Sequence, residues 1–328
     1  MSIQETNHGQ HFRLRIADLT VEVTCDESAF KLGVKDEKEK FIVHDKVPDV
    51  RIRTAWGELS EDQVGDKLFD AGTVWQLYQD NGSYLFRFHS LAFGPCTYRI
   101  ARFDRSFSNG EVFLHPDFFE PGQPVDPLWG PLDELLYGTL LARGRGAEIH
   151  GCGLIDAQGR GHLFVGKSGA GKTTMARLWQ DVPGTTILSD DRIILRKMDG
   201  RIWMYGTPWH GEGGMASPKK VLLTRVYFLQ KGDRNELLPR RRVQAALGLS
   251  ACSFPPFYSR EAMEFTLGFA EEVAKEIPCY ELRVVPDKKV VEFISNQIAV
   301  EKLSNTNKLI YFTPHPALPL KGGGLGWG

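Results

Sequence analysis

Near its middle the 328-residue chain reads Gly166-Lys167-Ser168-Gly169-Ala170-Gly171-Lys172-Thr173-Thr174. This stretch matches the phosphate-loop pattern, in which a glycine and four further residues precede Gly-Lys and then Ser or Thr. The short apolar run at 161–165 is typical of a buried strand, and apolar residues recur at helical spacing over 175–179. The sequence therefore predicts a strand, a glycine-rich loop and a helix, in that order.

Each part of this loop has a physical reason to bind phosphate. Glycines allow backbone N–H groups to approach an anion closely, and the helix N-terminus adds the positive end of its dipole. We expect residues 166–174 to bind a nucleotide, with the Lys172 ammonium at the β- and γ-phosphates and the Thr173 hydroxyl on Mg²⁺. ATP and Mg²⁺ are the cofactors that this pattern predicts. The alternative is a glycine-rich turn that matches the pattern by chance.

Composition and charge argue against several classes of protein. Lys and Arg total 40 and Asp and Glu total 41, a net charge of −1, which favours neither a nucleic-acid nor a membrane-surface partner. The five cysteines are far apart without Cys-x-x-Cys spacing, so we expect reduced thiols and no zinc site. No apolar run reaches the ~18 residues of a membrane span. The polar start predicts no signal peptide and a cytoplasmic location, while homo-oligomerisation stays open.

Residues 1–128 predict a β-rich N-terminal domain that ends in a linker. Polar and apolar residues alternate over 11–16, 19–23, 50–54, 98–101 and 111–115, as in antiparallel strands with one solvated face. Runs at 75–78 and 84–88 flank Asp80-Asn81-Gly82, which indicates a hairpin because Asn-Gly tolerates positive φ. Proline, glycine and acidic residues from Pro116 to Trp129 indicate the linker.

Residues 129–305 predict a second domain that contains the loop. Helical patterns occupy 131–141, 263–275 and 289–294, and strand patterns occupy 148–155, 161–165, 185–188, 192–196, 201–205, 221–223, 226–229 and 280–285. A long irregular segment runs from Gly206 to Gly214. Arg240-Arg241-Arg242 is expected to be a solvated basic face, with the alternative that it steers an acidic partner. Residues 306–328 are rich in proline and glycine, so we expect a disordered tail there.

Three side chains outside the loop point to chemistry on the bound phosphate. Asp190 and Asp191 follow the strand at 185–188, where one carboxylate can complete a Mg²⁺ shell and the other can accept a proton from an attacking hydroxyl. The alternative is a pair of turn carboxylates that cap the next segment. His150 lies at the end of a strand expected beside the loop strand, where it can order a carboxylate, contact the phosphates or be merely structural.

These motifs together resemble a known enzyme family. His150-Gly151, Gly166-x-Ser168-Gly169-x-Gly171-Lys172-Thr173 and Ser189-Asp190-Asp191-Arg192 are similar in order and spacing to the core of the bacterial HPr(Ser) kinase/phosphorylase catalytic domain. That domain is itself similar to phosphoenolpyruvate carboxykinase. The chain resembles more closely the uncharacterised kinase-like relatives of that enzyme, which carry segments like Gly-Thr-Pro-Trp at 206–209 and Cys-Tyr-Glu-Leu-Arg at 279–283.

The resemblance implies an α/β fold, in which a β-rich N-terminal domain precedes a P-loop, phosphoenolpyruvate carboxykinase-like kinase domain. It implies His150, Lys172 and Asp191 as catalytic residues, with Asp191 as the proton acceptor. It implies Thr173 as a Mg²⁺ ligand and a later glutamate on the metal, for which Glu212 is our candidate beside Asp190. The asparagine-rich signature that follows the aspartate pair in HPr kinases is absent here, and the loop at 206–214 stands in its place.

Three functions remain open from the sequence. The first is an ATP- and Mg²⁺-dependent kinase that phosphorylates a hydroxyl; the resemblance implies a serine in a protein or peptide. The second is a non-catalytic ATP-binding module that regulates a partner through the N-terminal sheet. The third is a small-molecule phosphotransferase or carboxykinase-like enzyme, which ranks last because the extra metal- and carboxylate-binding residues of a carboxykinase are not evident. The expected partners are thus a nucleotide and an unidentified protein, peptide or small-molecule acceptor.

Overall fold

The computed structural model describes residues 10–27, 30–57, 65–72, 74–94 and 96–297. The predicted tail at 306–328 lies outside these ranges. The chain divides into two compact units, Met1–Val285 and Pro286–Gly328. The first unit is mixed α/β, with two large sheets and few helices, as expected for the fold class.

The N-terminal half forms a nine-stranded sheet in the order β3-β1-β2-β4-β9-β8-β7-β6-β5. Its strands are β1 Gln10–Ile16, β2 Leu19–Cys25, β3 Ile42–Val43, β4 Val50–Trp56, β5 Asp66–Asp70, β6 Trp75–Asp80, β7 Ser83–His89, β8 Thr97–Phe103 and β9 Asn109–Leu114. The predicted hairpin is confirmed, since β6 and β7 pair around Asn81 and Gly82. The expectation of an antiparallel sheet is only partly right, because β4 pairs parallel with both β2 and β9. Alternation of polar and apolar residues is the same in both kinds of pairing and cannot separate them.

The second sheet contains the glycine-rich loop. Its strands are β10 Ala147–Ile155, β11 Gly161–Val165, β12 Thr186–Ser189, β13 Arg192–Met198, β14 Arg201–Tyr205, β15 Lys220–Lys231, β16 Glu236–Pro239 and β17 Cys279–Val284. The order is β11-β10-β13-β14-β15-β17-β16, with β12 also paired to β10 and β15 also paired to β11. Strand β11 pairs parallel with β15 on one side and antiparallel with β10 on the other. It is therefore buried between two neighbouring strands.

In the described part of the first unit, four α-helices accompany the sheets: α1 Leu132–Leu141, α2 Lys172–Gln180, α3 Arg242–Ala251 and α4 Arg260–Glu276. The sequence patterns had predicted all of these except α3. In the second unit, residues 289–297 are helical, and the Asp287 carboxylate accepts a hydrogen bond from the backbone N–H of Lys289, as the predicted cap requires. No helix in the described ranges combines the length and apolarity needed to cross a membrane.

Helix α1 packs against the N-terminal sheet. The buried Tyr137 donates its hydroxyl hydrogen bond to the backbone carbonyl of Leu14, at 2.9 Å. Leu132, Leu136 and Leu140 share one apolar core with the strands of the first sheet. The domain boundary expected at 128/129 therefore lies between the first sheet and α1, which share a core. That boundary stays a prediction.

A buried polar pair fixes the turn that leads into the loop strand. Asp156 accepts hydrogen bonds from Nε2 of His162, at 2.9 Å, and from Nε of Arg160, at 2.6 Å. The His162 ring stacks against Trp179 of α2 and Tyr227 of β15. Burial opposes ionisation of Asp156, but the bonds from His162 and Arg160 outweigh it and hold the pKa of Asp156 well below its ordinary value.

We expect Asp156→Asn to lower the free energy of unfolding at pH 7 by about 1–3 kcal/mol, because buried donors lose a charged acceptor. A carboxylate whose pKa is depressed by folding stabilises the protein above its unfolded pKa, and this contribution is lost as the pH falls below about 4. The variant should therefore lose less stability than wild type between pH 5 and pH 3. Urea unfolding across that range measures both effects, with the exposed Asp45→Asn as the control. Parallel pH dependence in wild type and Asp156→Asn would contradict the assignment.

Candidate active site

The structure has the predicted strand, loop and helix around residues 166–174. Strand β11 ends at Val165, the loop follows, and α2 begins at Lys172. Gly169 and Gly171 have φ of 77° and 105°, in the left-handed region that favours glycine. A Cβ atom on Gly166 would lie 2.7 Å from Cβ of Ala170, so the loop folds tightly on itself. The backbone path of the loop therefore requires glycine at 166, 169 and 171.

Lys172 lies beneath this loop. Its side chain is buried, and Nζ donates hydrogen bonds to the carbonyls of Gly166, at 3.0 Å, and Lys167, at 3.3 Å. Burial lowers the pKa of the Lys172 ammonium, and the negative charge of Asp191 opposes that change. Because this ammonium is poorly solvated, its attraction to a phosphate at the loop is stronger than it would be in water.

Thr173 and Asp190 come together at the start of α2. A Cβ atom on Gly213 would lie 2.6 Å from Oδ2 of Asp190 and 3.2 Å from the methyl carbon Cγ2 of Thr173, so Gly213 adjoins both side chains. Thr173 is half-buried, whereas Thr174, Lys167, Ser168 and Gly169 are exposed. A hydroxyl and a carboxylate are the hard oxygen donors that Mg²⁺ prefers. The described residues contain no group of three or more His, Cys, Asp and Glu placed to hold a metal ion.

Asp190 also anchors the irregular loop at 206–214. It is completely buried, with Oδ1 accepting the N–H of Gly211 at 3.0 Å and Oδ2 accepting the N–H of Gly213 at 2.9 Å. Glu212, the second metal candidate, lies between these glycines with an exposed side chain. Sequence reasoning had missed this anchoring, because the donors are backbone amides that carry no side-chain signature.

Asp191 and His150 form a pair beside the loop. Nε2 of His150 lies 3.0 Å from Oδ1 of Asp191, and Nε of Arg192 lies 3.0 Å from Oδ2. The hydrogen bond from His150 is the main cause that lowers the pKa of Asp191, with Arg192 contributing. His150 lies inside β10 rather than at its end, opposite Arg192 of β13. The two strands thus bring together two predicted site residues that are 41 positions apart in sequence.

Glu148 and Phe254 also hold Arg192, and neither was predicted. Nη1 of Arg192 lies 3.1 Å from Oε1 of Glu148, and the guanidinium lies 3.7 Å from the ring centre of Phe254. Burial raises the pKa of Glu148 to about 8. Glu148 and His150 are two positions apart on β10 and so share one face of the strand, a signal that was available from the sequence. Phe254 follows α3, and nothing in its sequence context indicated this role.

A cleft of about 670 Å³ opens beside the glycine-rich loop. Its walls combine loop residues 166–170 with apolar side chains of β15 and α3, among them Phe228 and Leu247. The Arg240 guanidinium lies 4.0 Å from the ring centre of Phe228 at this cleft. The basic cluster is therefore not entirely a solvated face, since only Arg241 and Arg242 are exposed. An apolar cleft with a cation next to the loop can hold a planar group attached to a phosphate chain.

The glycine-rich loop, the acid pair Asp190 and Asp191, and His150 thus lie close together in a mixed α/β protein. No protein-family model matches the chain, and no curated protein matches it. Among solved structures, the HPr(Ser) kinase/phosphatase from Coxiella burnetii is similar to it, at 13% sequence identity and a TM-score of 0.33. The match covers 51% of this chain and 99% of that one. This is a distant structural relationship that carries no argument about the chemistry of the site.

Proposed function

We propose that the chain is an ATP- and Mg²⁺-dependent kinase that transfers the γ-phosphate to a hydroxyl acceptor. The observation that carries the proposal is the meeting of two predicted elements at one place. Gly213 adjoins both Thr173 of the glycine-rich loop and Asp190 of the acid pair, and Asp191 lies next to Asp190 with its carboxylate bound by His150. A site for phosphate and metal thus adjoins a site for a proton, as phosphoryl transfer requires.

In this proposal the nucleotide lies along residues 166–174. Backbone N–H groups of the loop and the Lys172 ammonium would hold the phosphates, and the neighbouring cleft would take the nucleoside. Thr173 and Asp190 would hold Mg²⁺, with Glu212 as a further candidate ligand. The metal ion, when bound, neutralises charge on the phosphate oxygens.

The acceptor is proposed to be a hydroxyl group, because a carboxylate and an imidazole at the site can remove a proton from an attacking oxygen. A serine in a protein or peptide is favoured by the resemblance of the motifs. The loop at 206–214 adjoins the acid pair where HPr kinases carry a different signature, so we propose an acceptor other than HPr. We also propose a cytoplasmic location.

The test uses purified full-length protein, ATP labelled at the γ-phosphate and a lysate of the source cell. We expect wild type to label a discrete species on a hydroxyl. Asp191→Asn should reduce the labelling rate by roughly 10²–10⁴-fold, because Asp191 and His150 act together on the acceptor proton and acid–base catalysis contributes about that factor. Its affinity for MgATP, measured by calorimetry, should stay close to that of wild type, because Asp191 does not hold the phosphates.

The matched control is Asp199→Asn, an exposed turn residue whose positive φ asparagine tolerates. It should label at the wild-type rate. Binding of MgATP without transfer to any acceptor would favour a non-catalytic ATP-binding module. Equal labelling by wild type and Asp191→Asn would contradict the proposed chemistry.

A further inference from the structure

The carboxylate of Asp191 is held at both oxygens. Oδ1 lies 3.0 Å from Nε2 of His150, and Oδ2 lies 3.0 Å from Nε of Arg192. Hydrogen bonds in which a partner is charged are about twice as strong as neutral ones, and both of these favour the anionic carboxylate. A proton placed on Asp191 would weaken both contacts. This geometry therefore favours Asp191 as a residue that orients its neighbours over Asp191 as a proton acceptor.

The arginine that completes this arrangement cannot readily move away. Its Nη1 lies 3.1 Å from Oε1 of Glu148, and its guanidinium stacks 3.7 Å from the ring centre of Phe254. The backbone N–H of Phe254 in turn donates to the carbonyl of Glu148, at 3.1 Å. Asp191 is therefore fixed by residues from two strands and from the segment after α3.

The His150 ring is fixed in one tautomer by the same contact. A bond from Nε2 to a carboxylate keeps the proton on Nε2, so the lone pair of the neutral ring lies on Nδ1. Among the described residues no protein group hydrogen-bonds to Nδ1, and 27% of the His150 side chain is exposed. The backbone N–H of His150 donates to the carbonyl of Cys252, which holds the residue in place. Nδ1 of His150 is thus an oriented proton acceptor in a side chain that is partly exposed.

We propose that His150 takes the proton from the acceptor hydroxyl and that Asp191 is the positioning residue that holds His150. The inference rests on the proposed kinase function. As the acceptor oxygen forms its bond to the γ-phosphorus of ATP, its proton passes to Nδ1 of His150. The bond from the γ-phosphorus to the bridging oxygen breaks, and ADP leaves with that electron pair. The Asp191 carboxylate stabilises the imidazolium, which then releases its proton to water.

The charged groups around this pair belong to several elements. They are Asp191 after β12, Arg192 of β13, Glu148 of β10, Glu134 of α1 and Lys172 of α2. Glu134 and Glu148 both contact the Arg192 guanidinium, at 3.8 and 3.1 Å. Both glutamates contact Nη1 of this guanidinium, whereas Asp191 contacts Nε. His150 contacts Asp191 directly, so we expect His150 to set the acid side of the pH profile.

The experiment measures kcat/KM against pH for wild type, His150→Gln and Asp191→Asn, with water as the acceptor if no other has been identified. Wild type should lose activity on the acid side as the imidazole takes up a proton. His150→Gln should remove that dependence and lower the rate by roughly 10²–10⁴-fold. Asp191→Asn should lower the rate and keep the acid-side dependence. Exogenous imidazole should restore part of the activity of His150→Gly, and the exposed His11→Gln is the control.

A ¹⁵N NMR measurement of the histidine rings tests the same inference without turnover. We expect the neutral His150 ring to carry its proton on Nε2, and Asp191→Asn to change that ring signal. A proton on Nδ1 would overturn the inference, as would a His150→Gln variant with the wild-type pH profile. Rescue of Asp191→Ala by formate, with no rescue of His150→Gly by imidazole, would assign proton removal to Asp191 instead. A wild type that never binds MgATP would remove the proposed function, and this inference with it.

Discussion

Replacing Lys172 by methionine is expected to reduce phosphoryl transfer by roughly 10²–10³-fold, the loss seen when one preorganised donor to a developing charge is removed. Methionine keeps most of the aliphatic packing but has no ammonium to place on a phosphate. The affinity for MgATP should fall as well, because the ammonium is buried and held at the loop by the carbonyls of Gly166 and Lys167. Calorimetry with MgATP and a labelled-ATP assay measure the two effects separately.

The control for this variant is Lys275→Met, which replaces an exposed lysine in the last turn of α4. It should bind MgATP and transfer phosphate like wild type. Thermal denaturation of both variants verifies that the fold is intact. Unchanged MgATP affinity and unchanged transfer in Lys172→Met would mean that the glycine-rich loop does not bind the nucleotide.

Asp190→Asn is expected to lower the free energy of unfolding and to weaken the binding of Mg²⁺ with ATP. Each carboxylate oxygen accepts one backbone N–H, from Gly211 and from Gly213. An asparagine has only one oxygen, so its NH₂ group must face one of these N–H donors and leave it unsatisfied. Such a buried unsatisfied group costs about 1–3 kcal/mol of the free energy of unfolding. The variant also loses the negative charge that we propose for the metal.

Urea unfolding measures the stability loss, and MgATP titrations at several Mg²⁺ concentrations measure the metal dependence. The exposed Asp233→Asn serves as the control and should change neither. A stability loss with unchanged Mg²⁺ dependence would limit Asp190 to anchoring the loop at 206–214. Wild-type stability would contradict the hydrogen bonds that define this anchoring.

The parts of the site that the sequence predicted are those encoded by short local patterns. The strand before the loop is a continuous apolar run, Gly169 and Gly171 are required by left-handed φ, and α2 begins at Lys172. The sequence predicts Asp190 and Asp191 at a strand end because they follow the strand pattern at 185–188, and in the structure they directly follow β12. Each of these features depends on residues within a few positions of one another.

The features that sequence reasoning missed depend on residues far apart in the chain. The loop at 206–214 reaches Asp190 through backbone amides, and Phe254 reaches Arg192 from the segment after α3. Helix α3 was missed because Val243 and Leu247 are exposed, so its apolar residues do not mark a single buried face. The strand β16 has only four residues, too few to show alternation.

The central claim is that one MgATP contacts both the glycine-rich loop and the acid pair. A crystal structure of the full chain with Mg²⁺ and a non-hydrolysable ATP analogue tests it most directly. We predict β- and γ-phosphates on the amides of residues 166–174 and on Lys172, the metal ion between Thr173 and Asp190, and the γ-phosphate facing His150 and Asp191. An analogue bound elsewhere, or a γ-phosphate directed away from Asp191, would contradict the account.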